Sequence, residues 1–243
     1  MTRMLGSVRN KPEASILLRA NVDIIDIKEP SAGALGAVAL TDVVDTVNYV
    51  KAFAPRTYSD ISATIGDLPM VAGIISNAIQ RMHSTGVDII KVGVFSSGLS
   101  AELISMLSRH AAEDKKIVLV FFADRLIHWP AFSFLAAQGL YGVMLDTANK
   151  QNGSLTTLMS MGELDGFVRG AQAAGLKAGL AGSLQASDID NLLELDADYL
   201  GFRGALCRKQ ERASVIDENA VKTVRDLIPL TRQSSKQLAR VAN

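Results

Sequence analysis

The feature that most constrains this chain is an alternation running its whole length. Short, near-continuous apolar runs rich in Val, Ile and Leu are each followed by a stretch with apolar residues at helical spacing. Runs over 5–8, 23–28, 61–65, 89–93, 117–123, 142–147, 178–182 and 199–203 read as strands. Stretches 13–20, 42–53, 73–84, 101–112, 131–138, 162–174, 187–195 and 218–227 read as helices, the second capped by Thr41. Strands that are apolar on both faces need cover on both sides, so a parallel sheet wrapped by helices is expected. Eight such units in 243 residues match an α/β fold of one domain, the (β/α)8 TIM barrel. A doubly wound open sheet competes, but its phosphate fingerprint after the first strand is missing. The barrel is expected to occupy residues 1–230, with 231–243 as a polar tail prone to fraying.

In such barrels the active site lies at the C-terminal ends of the strands. Asp26 and Lys28 end strand two on one face, roughly 6.6 Å apart along it, with Ile25 and Ile27 on the other. Pro30 stops the strand just beyond. Lys91 ends strand four, Asp146 ends strand six, Arg203 ends strand eight, and Lys150 follows strand six directly. Charges that terminate otherwise apolar runs are costly to bury without a purpose. A mutually satisfied ion-pair cluster is the purely structural alternative, but stability seldom needs buried charge pairs. Lysines crowded together suggest amine chemistry, because neighbouring cations and desolvation leave part of a lysine neutral and able to form a Schiff base. Lys28 and Lys91 both fit that role, and spacing does not choose between them. Asp26 and Asp146 can move protons or hold the lysines.

The second ingredient is anion binding. Gly182-Ser183 follows strand seven, and Arg203-Gly204 ends strand eight. Loops seven and eight usually form the phosphate site of these barrels from bare backbone N–H groups. Arg203 would add a bidentate charge. The small-residue loop over 31–37 also lets backbone approach a ligand closely. The expected ligand is a small phosphorylated carbonyl compound.

Composition excludes several other classes. Lys plus Arg and Asp plus Glu both number 25, so no global field directs the chain to nucleic acid. Apolar residues make up 48%, yet no run approaches a membrane span. The single cysteine, Cys207, reads as a packed thiol and, with no signal-peptide pattern, suits a reducing cytoplasm. His83, His110 and His128 lack ligand spacing, so neither metal nor cofactor is expected. Trp129 reads as the anchor of a helix start. Lys115, Lys116 and the basic run 208–212 read first as solvated charge, although the latter follows strand eight and can reach a second phosphate. Asp67 and Asp124 end strands and border the pocket, with turn chemistry as their default. Barrels of this size often associate, so a homo-oligomer is expected.

The strings IIDIKEP, GALGA, SATIGDLP, IIKVGVF, MLDTANKQNGSL, GLAGSL and GFRGALC together resemble, in order, those of the (5-formylfuran-3-yl)methyl phosphate synthase family. The resemblance covers roughly residues 5–227. It implies a barrel similar to class I aldolases that joins two molecules of glyceraldehyde 3-phosphate, with loss of phosphate and water, into a furan precursor of methanofuran-type one-carbon carriers. By motif, Lys28 would form the Schiff base and Lys91 would accept the proton, with Asp26, Asp146 and Lys150 assisting. Two other readings stand beside it: another phosphosugar aldolase or isomerase on the same barrel, and a non-catalytic barrel that binds a phosphometabolite.

Overall fold

A computed structural model describes residues 1–53, 59–95, 98–125, 129–149 and 152–230. Lys150 and the tail over 231–243 lie outside the described residues. Eight described strands are β1 (Arg3–Val8), β2 (Ile24–Ile27), β3 (Asp60–Thr64), β4 (Ile89–Gly93), β5 (Lys116–Phe122), β6 (Gly142–Asp146), β7 (Lys177–Leu180) and β8 (Tyr199–Phe202). They close in sequence order into one parallel barrel, with β1 pairing to both β2 and β8. The described helices are α1 (Lys11–Arg19), α2 (Leu40–Phe53), α3 (Ala72–His83), α4 (Ala101–Ala112), α5 (Phe132–Ala137), α6 (Leu155–Leu158), α7 (Met161–Ala173), α8 (Ile189–Leu193) and α9 (Glu218–Leu227). None of them is long and apolar enough to cross a membrane.

Period-two alternation sorts each strand between two cores. On β5, Ile117, Leu119 and Phe121 pack outward under the helices. Val118, Val120 and Phe122 point inward to a smaller cluster with Leu5, Ile24, Ile89, Met144 and Tyr199. That division explains why the strand is apolar at nearly every position. Tyr199 fills the base of the barrel beside Gly179, where an added Cβ would stand 2.1 Å from the ring. Helices present matching stripes. On α3, Ala72, Ile75, Ile79 and Met82 are buried at three- and four-residue spacing. The Asp217 carboxylate caps α9 by accepting from the N–H groups of Asn219 and Ala220, and Ser160 closes a capping box on α7.

Differences from the sequence reading are local. Helix α2 begins at Leu40, with Val43 N–H donating to the Ala39 carbonyl, so Thr41 lies inside the first turn instead of capping it. The helix expected over 187–195 divides into a 3-10 turn, Ala186–Asp188, and the short α8. Strand β8 ends one residue early, and two 3-10 turns follow it, Gly204–Leu206 and Arg208–Gln210. Lys115 is buried and paired with Glu113, not solvated. Trp129 does anchor the start of α5, with its ring stacked on Phe132 and edge-on to Phe167.

The last strand is tied to the first helix by a buried ion pair. Arg203, just past β8, donates from Nη1 to Glu13 Oε2 at 2.6 Å and from Nη2 to Oε1 at 3.2 Å. Arg9 joins the same carboxylate from backbone and side chain. Burial pushes the Glu13 carboxyl upward, but the bonds from Arg203 and Arg9 outweigh it and hold the group below its ordinary value. Because the folded value lies below the unfolded one, about 4.3, this stabilisation is present above that pH and is lost as pH falls through the folded value. Glu13→Gln should therefore destabilise the protein near neutrality by about 3 kcal/mol. The gap from wild type should narrow as acid titrates below about pH 4. Denaturant unfolding of both proteins across that range checks it, and a gap independent of pH would refute the assignment.

Candidate active site

The site begins with Asp26, which is fully buried at the centre of the barrel. In the parallel register Ser7, Asp26 and Ser62 stand side by side on β1, β2 and β3. Ser7 Oγ donates to Asp26 Oδ2 at 2.8 Å, and Ser62 Oγ donates to Oδ1 at 2.7 Å. Lys91, from β4, places its ammonium 2.7 Å from the same Oδ1. The one carboxylate on β2 thus collects groups from three other strands, β1, β3 and β4. Lys28 stands above it at the end of β2, with its backbone N–H on the Val8 carbonyl. Its Nζ is 3.5 Å from Asp146 Oδ2. Asp146 also accepts from the Thr147 N–H through Oδ1, at 2.7 Å.

Ser7, Lys28, Lys91 and Asp146 line a cavity of about 290 Å³ at the C-terminal mouth, together with Ser183, Gly204 and Arg212. The expected convergence of strands two, four and six is therefore present. Lys150 cannot be placed with them, because it lies outside the described residues. Asp124 accepts from the N–H groups of Ala148 and Asn149, at 2.6 and 2.7 Å, and so fixes the loop after β6. Asp67 does the same for the loop after β2, accepting from Ala34 and Leu35 at 2.8 and 2.7 Å. Both strand-end aspartates hold turns. They shape the mouth without facing its contents.

The anion-binding expectation divides in two. Gly182 has φ of +110°, and a Cβ there would meet the Thr147 methyl at 2.8 Å, so glycine is required on both counts. Ser183 is also left-handed, with φ of 53°. Gly204, just past β8, completes this side of the cavity. Arg203 lines the cavity too but serves another purpose. Beyond its two bonds to Glu13 it donates to the carbonyls of Ser7, Arg212 and Ser214. That engages all five of its N–H groups. Direct phosphate contact by Arg203 would break this set, and as placed the side chain is a strut that holds the loop after β8.

Ser7, Ser62 and Gln185 have no place among the residues expected from the sequence, and Gln185 lines the cavity after β7. Ser7 and Ser62 could have been found by registering strands one and three against Asp26, since each is a small hydroxyl on an inward position. Arg212 carried a weaker signal as part of the basic run 208–212. Burial pushes its guanidinium down from the ordinary arginine value, opposed by the more distant carboxylates of Asp146, Asp67 and Glu29. Burial pushes the Cys207 thiol up, which suits a packed residue and not a nucleophile. Among the described residues no cluster of His, Cys, Asp or Glu could hold a metal ion.

Comparison with known proteins agrees with the geometry. The family model described as 4-HFC-P synthase matches residues 4–225. A Methylorubrum extorquens protein named, provisionally, as (5-formylfuran-3-yl)methyl phosphate synthase is 37% identical over 223 residues, covering 88% of this chain and 86% of its own. The enzyme of that name from Methanopyrus kandleri is 32% identical over 221 residues, covering 86% and 91%. That of Methanothermobacter thermautotrophicus is 31% identical over 236 residues, covering 93% and 98%. Among solved structures, 3-hexulose-6-phosphate synthase from Salmonella typhimurium superposes with a TM-score of 0.63 at 17% identity, over 93% of this chain and 98% of that one. Phosphoribosyl anthranilate isomerase from Thermus thermophilus gives 0.62 at 12%, over 99% and 100%. The structures share the barrel, whereas the relatives share sequence over most of its length, and on that ground the chain is an enzyme of the 4-HFC-P synthase family, the (5-formylfuran-3-yl)methyl phosphate synthases.

Proposed function

We propose that this enzyme condenses two molecules of glyceraldehyde 3-phosphate into (5-formylfuran-3-yl)methyl phosphate, releasing one phosphate and two waters, through a Schiff base on Lys28. The observation that carries the reading is the convergence of two lysines and two carboxylates at one cavity. Lys91 Nζ stands 2.7 Å from Asp26 Oδ1 and Lys28 Nζ 3.5 Å from Asp146 Oδ2, and both lysines line the cavity. Burial beside a second cation favours the neutral amine that a Schiff base needs. The choice of Lys28 as nucleophile follows its place in the IDIKEP motif.

The neutral Lys28 nitrogen adds to the aldehyde carbon, and loss of water gives the iminium. The proton that leaves the nitrogen has Asp146 at hand. The iminium draws electrons from the adjacent carbon, whose proton passes to a base. Lys91 fills that role in its amine form, and Asp26 is the group positioned to take the proton Lys91 gives up. The resulting enamine attacks the second aldehyde and forms the new carbon–carbon bond. Dehydration and phosphate elimination then lead to the ring, with water releasing Lys28. The bare backbone at Gly182, Ser183 and Gly204 suits a phosphate oxygen beside the reacting carbons.

Borohydride added with glyceraldehyde 3-phosphate should leave a reduced adduct on the peptide carrying Lys28, and Lys28→Ala should abolish it. Lys91→Ala should still form adduct but yield furan aldehyde at least about 100-fold more slowly. Mass spectrometry and product analysis read both. Absence of adduct and of furan aldehyde from the wild-type enzyme would end the proposal. Asp26→Asn should in addition destabilise the fold by about 3–5 kcal/mol, since it strands a buried ammonium, and denaturant unfolding measures that loss.

A further inference from the structure

Among the described residues, the charges around the cavity do not cancel. Lys28 is matched by Asp146, Lys91 by Asp26 and Arg203 by Glu13. Arg212 is the fourth cation of the lining, and among the described residues no carboxylate lies within ion-pair distance of it. One of its N–H groups donates, from Nη2, to the Gly33 carbonyl at 3.0 Å, and no other bond of its side chain occurs among the described residues. A half-buried guanidinium with most of its donors open, facing a cavity, is complementary to an anion with several oxygens.

Its position is built, not incidental. Arg203 Nε donates to the Arg212 carbonyl at 2.9 Å and Arg203 Nη2 to the Ser214 carbonyl at 2.9 Å, so the strut described above grips the backbone on which Arg212 rides. The chain turns back toward the mouth through Lys209 and Gln210, two consecutive non-glycine residues with positive φ, 53° and 59°. Such strain persists where the surroundings over-determine it. The Gly33 contact is itself secured, because Asp67 holds the next two N–H groups of that loop. Arg212 thus spans from the loop after β8 to the loop after β2.

We propose that Arg212 is a specificity-determining residue that grips a substrate phosphate, and that Arg203 is a positioning residue acting through it. This deepens the reading of the site as one for phosphorylated aldehydes. It assigns selection of the phosphate to one side chain outside the amine machinery. Removing a charged hydrogen-bond partner of this kind should weaken phosphate recognition about tenfold or more.

The test uses the full-length enzyme and two independent readouts. Inorganic phosphate, titrated by ³¹P NMR, should bind Arg212→Gln at least about tenfold more weakly than wild type. Borohydride trapping at Lys28 should prefer glyceraldehyde 3-phosphate over glyceraldehyde in the wild type. That preference should fall by a similar factor in Arg212→Gln and recover in part in Arg212→Lys, which keeps the charge but not the planar fork. Arg203→Lys should lower the preference in the same direction, while Arg208→Gln, outside the cavity, should leave it alone. Equal phosphate affinity and equal preference in wild type and Arg212→Gln would overturn the assignment. If the wild type traps neither aldehyde, the Schiff-base reading fails and the phosphate titration alone decides on Arg212.

Discussion

The Asp26 carboxylate is the contact on which the site depends. It is wholly buried, and an ionised carboxyl there would be very costly without compensation. Compensation comes from both neighbouring strands, through Ser7 and Ser62, and from Lys91 one strand further on. The arrangement is cooperative in a geometric sense. Each hydroxyl reaches the carboxylate only if β1, β2 and β3 hold the observed register, and a one-residue slip of any one of them would turn that strand's side chain outward. The polar centre therefore fixes strand alignment where the apolar cores alone would tolerate error, and it delivers an ammonium to a defined height below Lys28.

Around that centre the mouth is assembled from matched charges. Pairing by itself adds little stability, since desolvation consumes much of the attraction. Its value lies in direction. Lys91 is directed at Asp26, Lys28 at Asp146, and Arg203 at Glu13 and three carbonyls. Two aspartates outside the pocket complete the frame by binding adjacent N–H pairs in the loops after β2 and β6. A site with few residues in contact with its contents is thus kept rigid by many that are not.

The barrel was legible because period-two and helical patterns alternate cleanly, and the positions of Lys28, Lys91 and Asp146 followed from strand ends alone. Helix starts were less legible. Thr41 has the chemistry of a cap, yet the helix begins two residues earlier than expected because the backbone bond from Val43 to Ala39 forms regardless. Arg203 shows the deeper limit. Its neighbours in sequence, Gly201 and Gly204, suggest a ligand loop, whereas its partners in space, Glu13 and Ser7, lie about 190 residues away. Nothing local distinguishes an arginine that faces a ligand from one that faces the first helix. Ser7 and Ser62 were hidden for a related reason, because a small hydroxyl gains meaning only from the strand beside it.

The ties around Asp26 have a consequence for how the chain is divided. Ser7, Asp26, Lys28, Ser62 and Lys91 all belong to the first four strands, while Gly182, Ser183, Gly204 and Arg212 come from the last two strands and the loops that follow them. The lysine pair and the free arginine fork are thus written mostly in opposite halves, joined by the Lys28–Asp146 and Arg203–Glu13 pairs and by the Arg212 bond to the Gly33 carbonyl. Exchange of the C-terminal segment between barrels of this shape is then a route to a new ligand with the lysine pair intact, provided the incoming piece brings a cation that can find the carboxylate on the first helix.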